Sequence, residues 1–91
     1  NGISEQIHMR LAQYYLDKNI NYSAIEHALK CLQYNPTNLV GYSCVIVPFL
    51  QQGKYAQALP YIDYVVANGK GVLRNWEDFV RLSEICRQQL L

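Results

Sequence analysis

The stretch that decides the fold is NINYSAIEHALKCLQYNP, residues 19–36, because its pattern returns as GKYAQALPYIDYVVANG, residues 53–69. The two residues of every aligned pair are as far apart in the sequence as residues 19 and 53. We call this constant separation the repeat offset. The same offset relates apolar residues of the segments before each stretch. One period therefore covers a pair of helices, which is typical of a helical repeat array. The aligned pairs are Asn19/Gly53, Ala24/Ala58, Ile25/Leu59, Ala28/Ile62, Cys31/Val65, Leu32/Val66, Leu11/Val45, Ala12/Ile46, Tyr15/Phe49 and Leu16/Leu50.

Composition describes one small globular domain. Its 91 residues are 51% hydrophobic, which excludes intrinsic disorder, and the formal charge is only +1. We expect no nucleic acid or anionic membrane partner, since neither is favoured by this charge balance. The longest strongly apolar stretch, residues 45–50, is far short of the roughly 20 residues that cross a bilayer, so we expect no membrane insertion. The first ten residues lack a signal-peptide pattern and an initiator Met, so we expect a piece of a longer chain.

The three cysteines, Cys31, Cys44 and Cys86, form an odd set without the close spacing of a metal or redox motif. Free cysteine is commonly buried as a small apolar residue. We therefore expect three structural thiols in a reducing compartment, the cytoplasm, and no metal site.

Apolar residues at helical spacing predict five helices. Ser4 and Asn38 are the expected caps of the first and third helices, because short polar side chains accept backbone N–H bonds there. Asn19 and Gly53 are expected to make the turns between paired helices, and Pro48 to bend the third helix. The expected ranges are Ser4 to Asp17 or Lys18, Tyr22 to Tyr34, Leu39 to Gln52, Lys54 or Tyr55 to Ala67, and Leu73 or Trp76 to Gln89.

These residues resemble the tetratricopeptide repeat (TPR) family. Its repeats pair a first helix marked by large, small and aromatic residues with a second helix of small residues. The matching positions are Leu11, Ala12, Tyr15, Ala24, Ala28, Cys31 and Pro36, then Tyr42, Val45, Phe49, Gly53, Tyr55, Ala58 and Ile62, then Trp76 and Phe79. Departures are Ile46 and Val80 at positions usually small, Asn21 at an aromatic position and Lys70 at a proline position.

The resemblance spans residues of about 5–91 and implies an all-α, right-handed superhelical solenoid. A single domain, 1–91, would hold repeat 1 at about 5–38, repeat 2 at about 39–71 and a C-terminal helix at about 73–90. A generic helical hairpin bundle is the alternative fold.

The resemblance also implies a peptide-binding groove lined by the first helix of each pair. Its expected residues are Met9, Gln13, Leu16, Val40, Ser43, Val47, Leu50, Arg74 and Arg81. We expect an apolar or amphipathic peptide or helix of a partner protein, with Arg74 or Arg81 pairing an acidic group. The protein would then act as a scaffold or chaperone-like module. The alternative is that the chain covers these apolar residues itself or associates into a homodimer.

An enzyme is the second class of function considered. His8 shares the helical phase of Tyr42 and Trp76, which favours a packed ring over a catalytic base, and His27 is expected to face solvent. The sequence holds no phosphate-binding loop, metal-ligand motif or nucleophile with a plausible base. Tyrosine stacking on nucleic acid would need a basic groove that is absent. We therefore expect a noncatalytic protein-interaction module without catalytic residues, cofactor or metal.

Overall fold

A computed structural model describes residues 2–91, which form five α-helices and no β-strand. They are α1 (Gly2–Asp17), α2 (Asn21–Tyr34), α3 (Leu39–Gln51), α4 (Tyr55–Asn68) and α5 (Trp76–Gln89). The predicted all-helical class is confirmed, and every predicted helix is present. In the part of the chain that the structure describes, no helix has the length and hydropathy that a membrane span requires.

The turns between α1 and α2 and between α3 and α4 have the same backbone geometry. Asn19 and Gly53, which are related by the repeat offset, have φ angles of 60° and 71°. The N–H of Asn19 donates to the carbonyl of Leu16 at 3.0 Å, and the N–H of Gly53 donates to the carbonyl of Leu50 at 3.1 Å. Glycine and asparagine tolerate this left-handed region better than most residues do. Both turn predictions are confirmed.

One of the two predicted helix caps is confirmed. The side-chain oxygen of Asn38 accepts a hydrogen bond from the N–H of Val40 at 3.0 Å and another from the N–H of Gly41 at 3.2 Å. The prediction for Ser4 is wrong because α1 already begins at Gly2, so the backbone of Ser4 lies inside the helix. Glycine costs little at a helix end, where few backbone bonds depend on it.

The two hairpins bury equivalent residues. Four pairs related by the repeat offset are completely buried at both members: Ala12/Ile46, Ala24/Ala58, Ala28/Ile62 and Cys31/Val65. Six of these eight residues belong to two hydrophobic clusters: Ala12 and Ala28 to one between α1, α2 and α3, and Ile46, Ala58, Ile62 and Val65 to one between α3, α4 and α5. The sequence period is therefore also a period of burial.

The two hairpins approach each other closely at Gly41. A β-carbon at Gly41 would lie 2.9 Å from Cδ2 of Leu32 and 3.4 Å from Sγ of Cys31. At the shorter distance, attraction between two carbon atoms has turned to repulsion. Any side chain at this position would therefore have to displace Leu32 or move α3 away from α2.

Two prolines lie inside helices. Pro48 is buried within α3, which runs through it without interruption, and the carbonyl of Cys44 loses the hydrogen bond that another residue would give. Pro60 lies in the second turn of α4, which begins at Tyr55 as predicted. The bend predicted at Pro48 stays a prediction.

Polar contacts attach α5 to α4. The Nε1–H of Trp76 donates to the carbonyl of Val66 at 2.8 Å. The guanidinium of Arg87 pairs with the carboxylate of Asp63 at 2.8 Å, and the hydroxyl of Ser83 donates to the same carboxylate at 3.1 Å. The direct hydrogen bond from Arg87 lowers the pKa of Asp63.

The helices pack mainly as neighbours in chain order. Each helix packs on the next one, and α1 also packs on α3. The described residues measure 39 × 29 × 19 Å along their principal axes. The packing of α1 on α3 brings the first helices of the two hairpins side by side, which positions the cleft described next.

Candidate binding groove

A cleft of about 540 Å³ lies between the first helices of the two hairpins. Three residues from the C-terminal half of α1 form one wall, and three from the N-terminal half of α3 form the other. The lining residues are Gln13, Leu16, Asp17, Val40, Ser43 and Cys44. The cleft thus combines two aliphatic side chains with a carboxylate, an amide and a hydroxyl. We call it the α1–α3 groove.

Four of the nine residues predicted for the binding site lie in the α1–α3 groove: Gln13, Leu16, Val40 and Ser43. They converge because Gln13 and Leu16 are one helical turn apart on α1, as Val40 and Ser43 are on α3, so each pair shares one helix face. Cys44 also lines the groove and was not predicted for it. Cys44 follows Val40 by four positions, so the sequence already placed both residues on the same face of α3.

The remaining predicted residues of α1 and α3 lie elsewhere. Met9 lies in the first half of α1, where its sulfur is 3.5 Å from Nδ2 of Asn38. Val47 is 36% exposed, whereas Leu50 packs partly against the cluster around Ile46. The apolar contact expected from Val47, Leu50 and Met9 is thus absent from the cleft, where Leu16 and Val40 are the aliphatic lining residues.

Arg74 and Arg81 line a separate cleft of about 650 Å³ at the start of α5. Lys70 belongs to the same cleft, and its Nζ lies 5.4 Å from the centroid of the Trp76 indole ring. Arg81 pairs with Asp78 one turn earlier at 2.8 Å. Sequence reasoning missed Lys70 and Trp76 because Trp76 was assigned to a repeat position and Lys70 lies in the loop before α5.

A third cleft, about 390 Å³ in volume, lies between α2 and the end of α3 and is the most apolar of the three. Residues of α2, of α3 and of the turn between α3 and α4 line it: Tyr22, Ile25, Glu26, Leu29, Phe49, Gln52 and Lys54. None of the nine predicted groove residues belongs to this cleft.

The thiol of Cys44 is held in its neutral form. Burial is the main cause that raises its pKa to about 11, and the neighbouring Cys31 and Asp17 add to the effect. Burial likewise raises the pKa of Cys31 and Cys86. Because the thiolate is the nucleophilic form, these thiols are poor nucleophiles near neutral pH.

Both histidines belong to a stack of rings between α1 and α2. The stack alternates between the helices in the order Tyr15, His27, His8 and Tyr34, with centroid separations of 5.5, 5.3 and 6.0 Å. The packed role predicted for His8 is confirmed. The prediction that His27 faces solvent is wrong, because its ring is half-buried between Tyr15 and His8.

The immediate surroundings of His8 disfavour its charged form. Burial lowers the pKa of His8, and the charges of His27 and Lys30 lower it further. Across residues 2–91, no group of three or more His, Cys, Asp and Glu side chains is arranged to hold a metal ion.

Together these features define an all-helical protein of two equivalent helix hairpins and a fifth helix, with a mixed polar and apolar groove between α1 and α3. The chain matches no protein-family model, no curated protein and no solved structure.

Proposed function

We propose that this chain is a noncatalytic protein-interaction module of the tetratricopeptide repeat type, a right-handed solenoid that binds a peptide or helix of a partner protein in the α1–α3 groove. The observation that carries the proposal is the cleft of about 540 Å³ between the first helices of two hairpins whose turns and buried residues recur at the repeat offset. Surfaces formed by stacked helix pairs commonly bind extended or helical segments.

The lining of the α1–α3 groove defines the chemistry of the segment it binds. Leu16 and Val40 lie on opposite walls of the cleft as apolar contact area, so an aliphatic side chain of the ligand fits between them. Asp17, Gln13 and Ser43 offer a carboxylate, an amide and a hydroxyl to donors of the ligand backbone or to a basic side chain. An amphipathic segment meets both requirements.

A second contact at the start of α5 engages an acidic group of a long ligand. Arg74 and Arg81 lie in the cleft there, and the bond between Arg81 and Asp78 is an exposed pair within one helix. Such pairs contribute only about 0.3–0.5 kcal/mol, so a ligand carboxylate can compete for Arg81.

A noncatalytic role is supported by the state of the reactive groups. The thiol that lines the groove, Cys44, has its pKa raised to about 11, and His8 is packed between two rings. Three buried free thiols also support the proposal of a reducing compartment such as the cytoplasm.

The test is a binding experiment read at individual residues. Peptides selected from a random display library are titrated into the isotopically labelled protein, and amide shifts are followed. We expect shifts at the four predicted residues that line the cleft, Gln13, Leu16, Val40 and Ser43.

Two variants of similar chemistry make the test specific. Ser43→Arg, which fills the cleft, should weaken binding by about tenfold or more, whereas Gln57→Arg on the exposed face of α4 should leave it unchanged. Shifts confined to α2 and α4 would contradict the proposal.

Self-association is the second candidate, because a second copy of this chain could cover exposed apolar residues such as Val47, which is 36% exposed. Mass measured over a concentration series separates the two. A dimer that dissociates on Val47→Glu would support self-association, and a monomer at all concentrations would exclude it.

A further inference from the structure

The outward side of α1 carries an apolar stripe of four residues, three of which are exposed. At roughly 3.6 residues per turn, Ile3, Ile7, Leu11 and Tyr14 fall on one side of the helix. Ile3 is 71% exposed, Ile7 51% and Tyr14 54%. We call these four residues the α1 stripe. Ala12, on another side of α1, is completely buried in the cluster shared with α2 and α3, so the stripe is distinct from the α1–α3 groove.

The equivalent face of α3 is an interface. The repeat offset carries Ile7, Leu11 and Tyr14 onto three α3 residues that are all buried: Gly41, Val45 and Pro48. Val45 packs in the same cluster as residues of both α1 and α2, and Gly41 lies directly against α2. The face that α3 uses to pack on other helices is therefore largely exposed on α1.

Two cations lie beside the stripe, and one carboxylate, that of Asp17, lies at its edge one turn after Tyr14. Arg10 lies next to Tyr14 on the helix surface, and Lys18 follows directly after α1 with its Nζ 5.6 Å from the centroid of the Tyr14 ring. Neither forms an ion pair within residues 2–91. Of the two acidic residues of α1, Glu5 is hydrogen-bonded at the junction of α2 and α3, and Asp17 lines the α1–α3 groove. This charge pattern matches a partner that has carboxylates beside its apolar surface.

The size of the stripe side chains sets a second requirement. Ile7 and Tyr14 stand where α3 has the compact residues Gly41 and Pro48, so the stripe projects outward where the α3 face is flat. A helix that packs on the stripe as closely as α2 packs on α3 needs small residues opposite Ile7 and Tyr14, because excess side-chain volume at a close contact is destabilising.

We propose that the α1 stripe docks an amphipathic helix of a partner protein, with small residues facing Ile7 and Tyr14 and carboxylates that pair with Arg10 and Lys18. The apolar contact provides the binding energy, and the two ion pairs fix the orientation of the helix and speed its association. This surface is used in addition to the α1–α3 groove, and its occupation is independent of the groove ligand.

The experiment uses two synthetic helical peptides with the same face of Ala and Leu, one flanked by Glu and the other by Lys. We expect the Glu peptide to shift the amides of Ile3, Ile7 and Tyr14 and to bind at least about tenfold more tightly than the Lys peptide, a difference of about 1.4 kcal/mol. Raised salt should reduce this preference. The double variant Arg10→Glu/Lys18→Glu should reverse it.

Single substitutions at exposed positions provide the controls. Ile7→Glu should abolish binding of the Glu peptide, whereas Gln88→Glu on the exposed side of α5 should leave it unchanged; both should retain the helical circular dichroism of the parent. Equal affinity for the two peptides, or no shift at the stripe, would overturn the proposal. So would a mass that grows with concentration in the parent but not in Ile7→Glu, because the occupant would then be a second copy of this chain.

Discussion

The Nδ1 atoms of His8 and His27 lie 3.0 Å apart and link α1 to α2 by a hydrogen bond. One ring must donate and the other must accept, so the accepting ring is neutral while the bond exists. In the second hairpin the positions reached by the repeat offset hold Tyr42 and Tyr61, whose ring centroids are 5.9 Å apart. The first hairpin thus has a hydrogen-bonded histidine pair where the second has a contact between two tyrosine rings.

This histidine pair makes stability depend on pH. Because burial, His27 and Lys30 lower the pKa of His8 from 6.5 in the folded protein, the unfolded chain binds more protons between that lowered pKa and 6.5. The contribution of His8 to the free energy of unfolding should therefore be fully present above pH 6.5 and should be lost as pH falls through the folded pKa of His8.

Chemical denaturation at a series of pH values measures this dependence. His8→Tyr, which copies Tyr42, removes the titrating group and should flatten the curve in this window. Tyr34→Phe keeps both histidines and the ring that stacks on His8, so it should retain the slope of the parent. An identical slope in the parent and in His8→Tyr would show that His8 does not control the effect.

Loss of volume at Ile62 should be costly. Ile62 is completely buried in the cluster between α3, α4 and α5, so Ile62→Ala should reduce the free energy of unfolding by about 2–5 kcal/mol. Ile3→Ala, at a position 71% exposed, removes the same atoms and should cost far less. Equal effects in urea denaturation would contradict the observed core.

A side chain at Gly53 should lower the free energy of unfolding for conformational reasons alone. A β-carbon at Gly53 meets no atom within 4 Å, yet φ is 71°, so Gly53→Ala should cost about 1–2 kcal/mol. Gly2→Ala has equally open surroundings without a positive φ and should be neutral or slightly stabilising. A thermal melt of both variants tests this, and a neutral Gly53→Ala would refute it.

Asn38 should matter more than an exposed asparagine. Its side chain caps α3 and also donates to the carboxylate of Glu5 at 2.7 Å, so Asn38→Ala should cost about 0.5–2 kcal/mol from the cap alone. Asn68→Ala removes one exposed bond, to the carbonyl of Tyr64, and should cost less. Urea denaturation of both variants ranks them, and the reverse order would argue against the cap.

The helices and their buried residues could be predicted from the sequence, because the repeat period and the size of each side chain are read directly from it. Ala24 and Ala58 were aligned by spacing alone, and both are completely buried. The half-buried position of His27 did not follow, since the contact between two rings depends on the exact rotation of α1 against α2. The predicted groove was also too large. Arg74 lies in the turn before α5 and not on a helix beside α3, so it does not line the cleft between α1 and α3.

The missing side chain at Gly41 also bears on the angle between the hairpins. Gly41 lies near one end of α3, a helix of 13 residues, and the space towards Leu32 holds no further carbon unless that side chain moves. A side chain added here would tilt α3, and because the helix is rigid its far end would move the furthest. Val40, Ser43 and Cys44 stand on the same turns of α3 as Gly41, so a tilt of the helix at this point would also change the width of the α1–α3 groove.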